Sequence, residues 1–166
     1  MAGVIRVLAA AAFAAATGFN GTAQQLAPPA SQSGFTHVLA SRPAKQPRGA
    51  IGAGFKSGWA ALYQKGTTKS PIEAVLSVYV YKNASEAKTA YTQTCKTCTA
   101  HVVAQGVSLK FGGGSAVQAV ATCHNVFATV VADGHESTAK LVHDAGFLAG
   151  VVFGRAVGLG MPSCNA

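Results

Sequence analysis

The residues best suited to chemistry are four cysteines, Cys95, Cys98, Cys123 and Cys164, and two of them share the short stretch "TCKTC". A Cys-x-x-Cys spacing serves a dithiol redox centre, half of a zinc site, or a covalent staple. A redox centre puts its pair at a helix N-terminus, where the dipole lowers the thiol pKa. Here the pair follows a predicted helix, the wrong end for that effect, and Lys96 favours a thiolate only slightly. A zinc site needs four converging ligands. Cys95, Cys98 and Cys123 with His124 or Cys164 could supply them, but the second half lacks the paired spacing. Two disulfides use all four cysteines, and four cysteines allow three pairings.

Acid–base chemistry has few candidates. Of the five carboxylates, Glu86 and the pair Asp133 and Glu136 stand at predicted helix caps, Glu73 stands at a strand start, and Asp144 neighbours His143. No two are spaced as a glycosidase or aspartic-protease pair. The histidines, His37, His101, His124, His135 and His143, show no His-x-x-x-His ligand spacing. There is no Gly-x-Ser-x-Gly elbow and no phosphate loop. Trp59, Tyr63, Tyr79 and Tyr81 fall on adjacent predicted strands and could floor an aromatic cleft, although core packing also uses such residues.

Two patterns define the elements that position these groups. In "PIEAVLSVYVYK", Ala74, Leu76, Val78 and Val80 alternate with Val75, Ser77, Tyr79 and Tyr81, as in a strand. "SGWAALYQKG" predicts its partner, with "KGTTKS" as the hairpin loop. "NASEAKTAYTQT" predicts a helix opened by Asn83 and Glu86 as a capping box and ending near Thr94. "HVVAQGVSLKF", "SAVQAVATC" and "HNVFATVVA" predict three further strands, with "GGGS" as a turn. A long apolar helix follows from about Glu136 to Val157, with Asp133 and Glu136 repeating the cap spacing. Gly146, Gly150, Gly154 and Gly158 recur every four residues on it, forming a smooth stripe suited to packing on the sheet, or to self-association or membrane insertion. Arg155 inside the run weighs against insertion. The order ββα–βββα predicts an α+β fold: an antiparallel sheet of about five strands with two helices packed on one face.

This arrangement selects a cysteine pairing. A strand over His124–Ala132 runs roughly 30 Å. The helix after it returns roughly 33 Å, which brings Cys164 back beside Cys123. A Cys123–Cys164 bridge stabilises by roughly 3–4 kcal/mol through the loop it closes. Cys95 and Cys98 are then left to each other.

The start of the chain reads as an address. Arg6 precedes the apolar run "VLAAAAFAAATGF", within the range of a signal-peptide core and shorter than a membrane span. Gly21 and Ala23 fit a small-residue cleavage site, so residues 1–23 read as a leader cut after Ala23. Residues 24–54 read as a flexible Pro/Ala/basic linker. Residues 55–166 read as one disulfide-stabilised domain. The chain carries 13 Lys and Arg against 5 Asp and Glu, a net charge of +8. That favours acidic surfaces. The basic residues are scattered singly with no aromatic ladder among them, which argues against a nucleic-acid module.

The stretch "ATCHNVFATVVADGHESTAKLVHDAGFLAGVVFGRA" resembles the last part of the extracellular sensor-like domains of actinobacterial serine/threonine kinases and related envelope proteins. In these a cysteine precedes a short Asn-Val strand, here Cys123, Asn125 and Val126, and an alanine-rich helix ends the domain. Cys95 or Cys98 corresponds to the cysteine after an earlier helix; the tryptophan that family carries near it is missing here. The similarity covers at most residues 55 to 160. It implies an antiparallel sheet with a cleft, two disulfides and ligand sensing at the bacterial envelope, and it transfers no binding residue. The expectation is a secreted or periplasmic, non-catalytic domain binding a small ligand or an acidic cell-envelope surface. It needs no cofactor, metal or nucleic acid and keeps no membrane span once the leader is gone. The alternatives are a secreted enzyme with an unrecognised site, and a thiol-redox or metal-binding protein using Cys95 and Cys98.

Overall fold

The computed structural model describes residues 18–47, 54–94, 96, 98, 100–104, 107–112 and 116–164; for 100–112 it describes the backbone. The alternating patterns form the centre of the sheet. Strand β2 (Phe55–Thr67) and strand β3 (Ser70–Tyr81) make a hairpin through Thr68 and Lys69, as expected. Helix α3 (Ala84–Thr94) follows, opened by the Asn83 side chain, whose Oδ1 accepts from the Glu86 N–H at 3.0 Å.

The class is α+β with an antiparallel sheet, as the sequence predicts. Among the described residues the sheet has seven strands, in the order β1-β2-β3-β7-β6-β5-β4, and every neighbouring pair is antiparallel. Helix α3 carries the chain to the far edge, from which β4 (Ala100–Ala104), β5 (Val107–Gly112), β6 (Ala116–Cys123) and β7 (Val126–Gly134) return to pair β7 with β3. The two strands beyond the expected five have clear origins. "HVVAQGVSLKF" splits into β4 and β5, with the turn-favouring Gly106 between them. Residues assigned to the linker form the edge strand β1 (His37–Pro43), exposed along its whole length.

The linker reading of residues 24–54 is corrected further. Short helices α1 (Ala23–Leu26) and α2 (Ala30–Ser33) form a strap on the body of the fold. Phe19, Ala23, Leu26 and Phe35 join the main core. Ala23, the last residue assigned to the leader, is buried there. The strap exists because the sheet is wider than one helix. Helix α4 (Thr138–Gly158) covers mainly β6 and β7, and the strap closes the gap beside it over β2. Tyr63 Oη donates to the Pro28 carbonyl at 2.7 Å. Arg155 on α4 donates to the Gln25 carbonyl at 3.0 Å and to Gln32 Oε1 at 2.7 Å.

Three details of the helices differ from expectation. The cap of α4 is Ser137, whose Oγ accepts from the Lys140 N–H at 3.3 Å, rather than Asp133, which lies within β7. The helices lie on opposite faces of the sheet. Val78 and Val80 belong to the cluster packed against α4, whereas Tyr79 and Tyr81 pack with Ala87, Ala90 and Tyr91 of α3. Alternation along β3 makes these two sets point in opposite directions. The glycine stripe does not make the helix–sheet contact. The buried side of α4 is Leu141, Ala145, Leu148, Ala149, Val152, Phe153 and Ala156. A Cβ added at Gly150, Gly154 or Gly158 would meet nothing within 4 Å; Gly146 is half-buried. By length and composition α4 could span a membrane, yet this apolar face of the helix is part of the core.

The predicted bridge is present: Cys123 and Cys164 are disulfide-bonded with Cα atoms 5.7 Å apart. Cys123 ends β6, and the two residues His124 and Asn125 turn the chain into β7, with His124 at φ 49°. This tip gathers the chain. His124 Nε2 lies 3.2 Å from the Ser163 carbonyl oxygen. The buried Asn125 amide donates to the carbonyls of Phe19 (2.9 Å) and Tyr81 (2.8 Å) and accepts from the Phe19 N–H at 2.6 Å.

Candidate functional site

The register writes out the sheet face opposite α4 row by row. Gly58, Tyr79, Phe127 and Thr122 form the first row. Arg42, Ala60, Ser77, Thr129 and Val120 form the second, and Ala40, Leu62, Val75, Val131 and Gln118 the third. Gln64, Glu73, Asp133 and Ala116 form the fourth. Helix α3 covers the first row. There Tyr79 stacks on Phe127 with centroids 5.6 Å apart, and Phe55 packs on Tyr79 and Tyr81. Ala44 also folds over this end, and its backbone passes so close to Gly58 that a side chain there would collide with the Ala44 carbonyl.

The third and fourth rows are open. Val75 is 44% exposed and Val131 39% exposed in the middle of the sheet. A depression of about 310 Å³ lies beside them, lined by Ala40, Ser41, Arg42, Ala60, Ala61, Leu62 and Val75. That is the lower end of the size of small-molecule sites. Its lining is mainly aliphatic, and Arg42 is the one charged residue in it. A second depression, about 400 Å³, lies at the end of the same face and is lined by Pro71, Glu73, Asp133, Gly134 and His135. Two of the five carboxylates of this basic chain are therefore cross-strand partners at one end of the trough.

The predicted aromatic floor is not formed. Trp59 and Tyr63 stand opposite Val78 and Ala74 on the α4 side, while Tyr79 and Tyr81 stand on the α3 side. An antiparallel pair puts directly opposed residues on one face. This register opposes Trp59 to Val78, so Tyr79 must point away. Tyr63, Tyr79 and Tyr81 are buried and Trp59 is half-buried against the core.

Burial sets the ionisation of these phenols. The Tyr63 hydroxyl is pushed up to about 12 by desolvation, with Arg155 pulling weakly the other way. Tyr81 is also pushed up to about 12, by desolvation and then by Tyr79 and Glu86; its hydroxyl has no hydrogen-bond partner among the described residues. Tyr79 rises through burial, opposed by a hydrogen bond from Ser77. Up to the ordinary value of 10, folded and unfolded chains both hold these protons. Between about 10 and about 12 the unfolded chain releases them and the fold retains them, so stability falls as pH rises through that window. Tyr63 and Tyr81 each put on the order of 2–3 kcal/mol at stake. Denaturant melts from pH 9 to pH 12 should show this decline, with tyrosinate absorbance appearing together with unfolding.

Most of the described acid–base candidates are engaged in local contacts or stand exposed on the surface. Glu73 Oε1 accepts from Gln64 Nε2 at 3.1 Å, and Asp133 Oδ1 accepts from the Gly134 N–H at 2.8 Å. Both carboxylates and His135 are exposed, and no hydrogen bond or ion pair joins the histidine to either. His143 Nδ1 lies 3.5 Å from Asp144 Oδ1, but the ring is exposed and that oxygen is held by Lys65 at 2.7 Å. Glu136 is paired with Lys140 at 2.7 Å. His37 lies on the exposed edge strand; His101 is in β4, where only the backbone is described. Cys98 is disulfide-bonded, and Cys95, its predicted partner, lies outside the described residues. No described cysteine is free, and no three described His, Cys, Asp or Glu residues stand together as a cation site. The sequence reading missed the pocket around Arg42 because it placed that residue in a linker.

No protein-family model matches this chain, and no curated protein matches it.

Proposed function

We propose that the protein is an exported, disulfide-stabilised, non-catalytic binding domain, in keeping with its resemblance to envelope sensor domains, and that its ligand is a small anionic amphiphile. The observation that supports this reading is the open aliphatic depression between Leu62, Val75 and Arg42 on a face that α4 and α3 leave uncovered. An apolar body gains by covering the half-exposed valines, about 25 cal/mol per Å² of apolar surface removed from water. An acidic head is drawn to Arg42 and repelled by Glu73 and Asp133 at the far end, which fixes its direction. The net charge of +8 adds long-range attraction for anions. The Cys123–Cys164 bridge fits an oxidising compartment.

Decanoate is a suitable probe. Calorimetric titration should show 1:1 binding. Val75→Glu should weaken it at least about tenfold, about 1.4 kcal/mol, and Arg42→Gln should weaken decanoate but leave decanol binding unchanged. Equal decanoate binding by wild type and both variants would contradict the assignment.

A further inference from the structure

We infer that the leader is removed by hydrolysis of the Ala16–Thr17 bond, so that Phe19 is retained as the N-terminal anchor of the mature domain. This rests on the reading of the chain as an exported protein. The site is fixed by what must survive processing. Asn125 is 3% exposed, and two of its three hydrogen bonds go to the backbone of Phe19: the amide nitrogen to the carbonyl at 2.9 Å, the amide oxygen to the N–H at 2.6 Å. A buried amide left without such partners is destabilising. The Phe19 ring is buried in the main core. Ala23 is fully buried, and its N–H donates to Ser57 Oγ at 3.0 Å. The Thr22 N–H donates to Gln25 Oε1 at 2.8 Å, which steadies the start of α1. A cut after Ala23 would remove every one of these groups and set a new ammonium at the edge of the core.

Upstream of Phe19, the small residues Ala14 and Ala16 stand at the positions a leader peptidase reads, one and three residues before the bond. The apolar stretch Val7–Phe13 before them still meets the lower length of a leader core. In the reaction, the hydroxyl of a water molecule adds to the Ala16 carbonyl carbon. The carbon–nitrogen bond to Thr17 breaks, and the water proton goes to the new Thr17 amine.

The test is the intact mass of the exported product when the full 166-residue chain is made in an exporting bacterium. A mass corresponding to a chain starting at Thr17 is expected. A start at Gln24 overturns the inference while export stands, and so does an uncut chain held in the membrane. An uncut chain confined to the cytosol overturns the export reading and the inference with it. Ala16→Leu alters no residue of the described fold and is expected to raise the uncut fraction at least tenfold. Unimpeded processing of that variant would also overturn the assignment.

Discussion

Replacing Asn125 with leucine is expected to lower the stability of the mature domain by about 3–5 kcal/mol, measured by urea unfolding. Leucine keeps the branched shape of the side chain, but its methyl groups are bulkier than the amide oxygen and nitrogen they replace and cannot approach the backbone at 2.6–2.9 Å. The loss therefore combines crowding with the backbone groups left unpaired. The Phe19 N–H, the Phe19 carbonyl and the Tyr81 carbonyl all bond the Asn125 side chain, which is buried at the β6–β7 tip. The variant leaves all three in an apolar setting. The damage should be local at first: faster amide exchange at Phe19 and along α1, with the α4 core slower to open. A loss under about 1 kcal/mol, the value of a single ordinary hydrogen bond, would show that the strap is not anchored there.

Replacing Cys123 and Cys164 together with serine is expected to cost roughly 3–4 kcal/mol and to leave the fold in place. The bridge spans a sequence separation of 41 residues, which includes β7 and α4, so its loss frees a long stretch of the unfolded chain. The remaining ties at that end are the contact of His124 with the Ser163 carbonyl and Met161, which is buried in the main core and donates its N–H to the Ala156 carbonyl. The double variant is more informative than reducing the wild type, because reduction also opens the disulfide of Cys98. Parallel denaturant melts should show a lower midpoint with a similar slope. An unchanged midpoint would mean that the bridge closes a loop already ordered in the unfolded state.

The parts of this fold that were legible in the sequence are those governed by a period or a length. The β2–β3 hairpin follows from strict alternation, and the Cys123–Cys164 bridge follows from matched lengths of a strand and the helix after it. The strap was illegible because Phe19, Leu26 and Phe35 are scattered among Pro, Gln and Ser at no regular spacing. They are buried because α4 is narrower than the sheet it covers, which is a fact of packing. The side chosen by α3 was open for a related reason. Both faces of β3 carry apolar residues, and only the register that opposes Trp59 to Val78 settles which set meets which helix. The glycines of α4 show a further limit. A missing Cβ reads the same whether it admits a neighbour or faces open space, and at Gly150, Gly154 and Gly158 it faces open space. The candidate site shared this fate. Val75 and Val131 look like ordinary strand residues until the covering elements are known, and Arg42 joins them only through the pairing of β1 with β2.

The most direct test of the open sheet face as the ligand surface is to map decanoate onto the folded protein by amide chemical-shift perturbation. Shifts should concentrate on Ala40–Arg42, Ala60–Leu62, Val75 and Val131, and leave the outer side of α4 around Phe147 and Val157 unmoved. Shifts centred on α4, or none at concentrations where the titration saturates, would contradict the assignment and move the search to the half-exposed apolar residues of that helix.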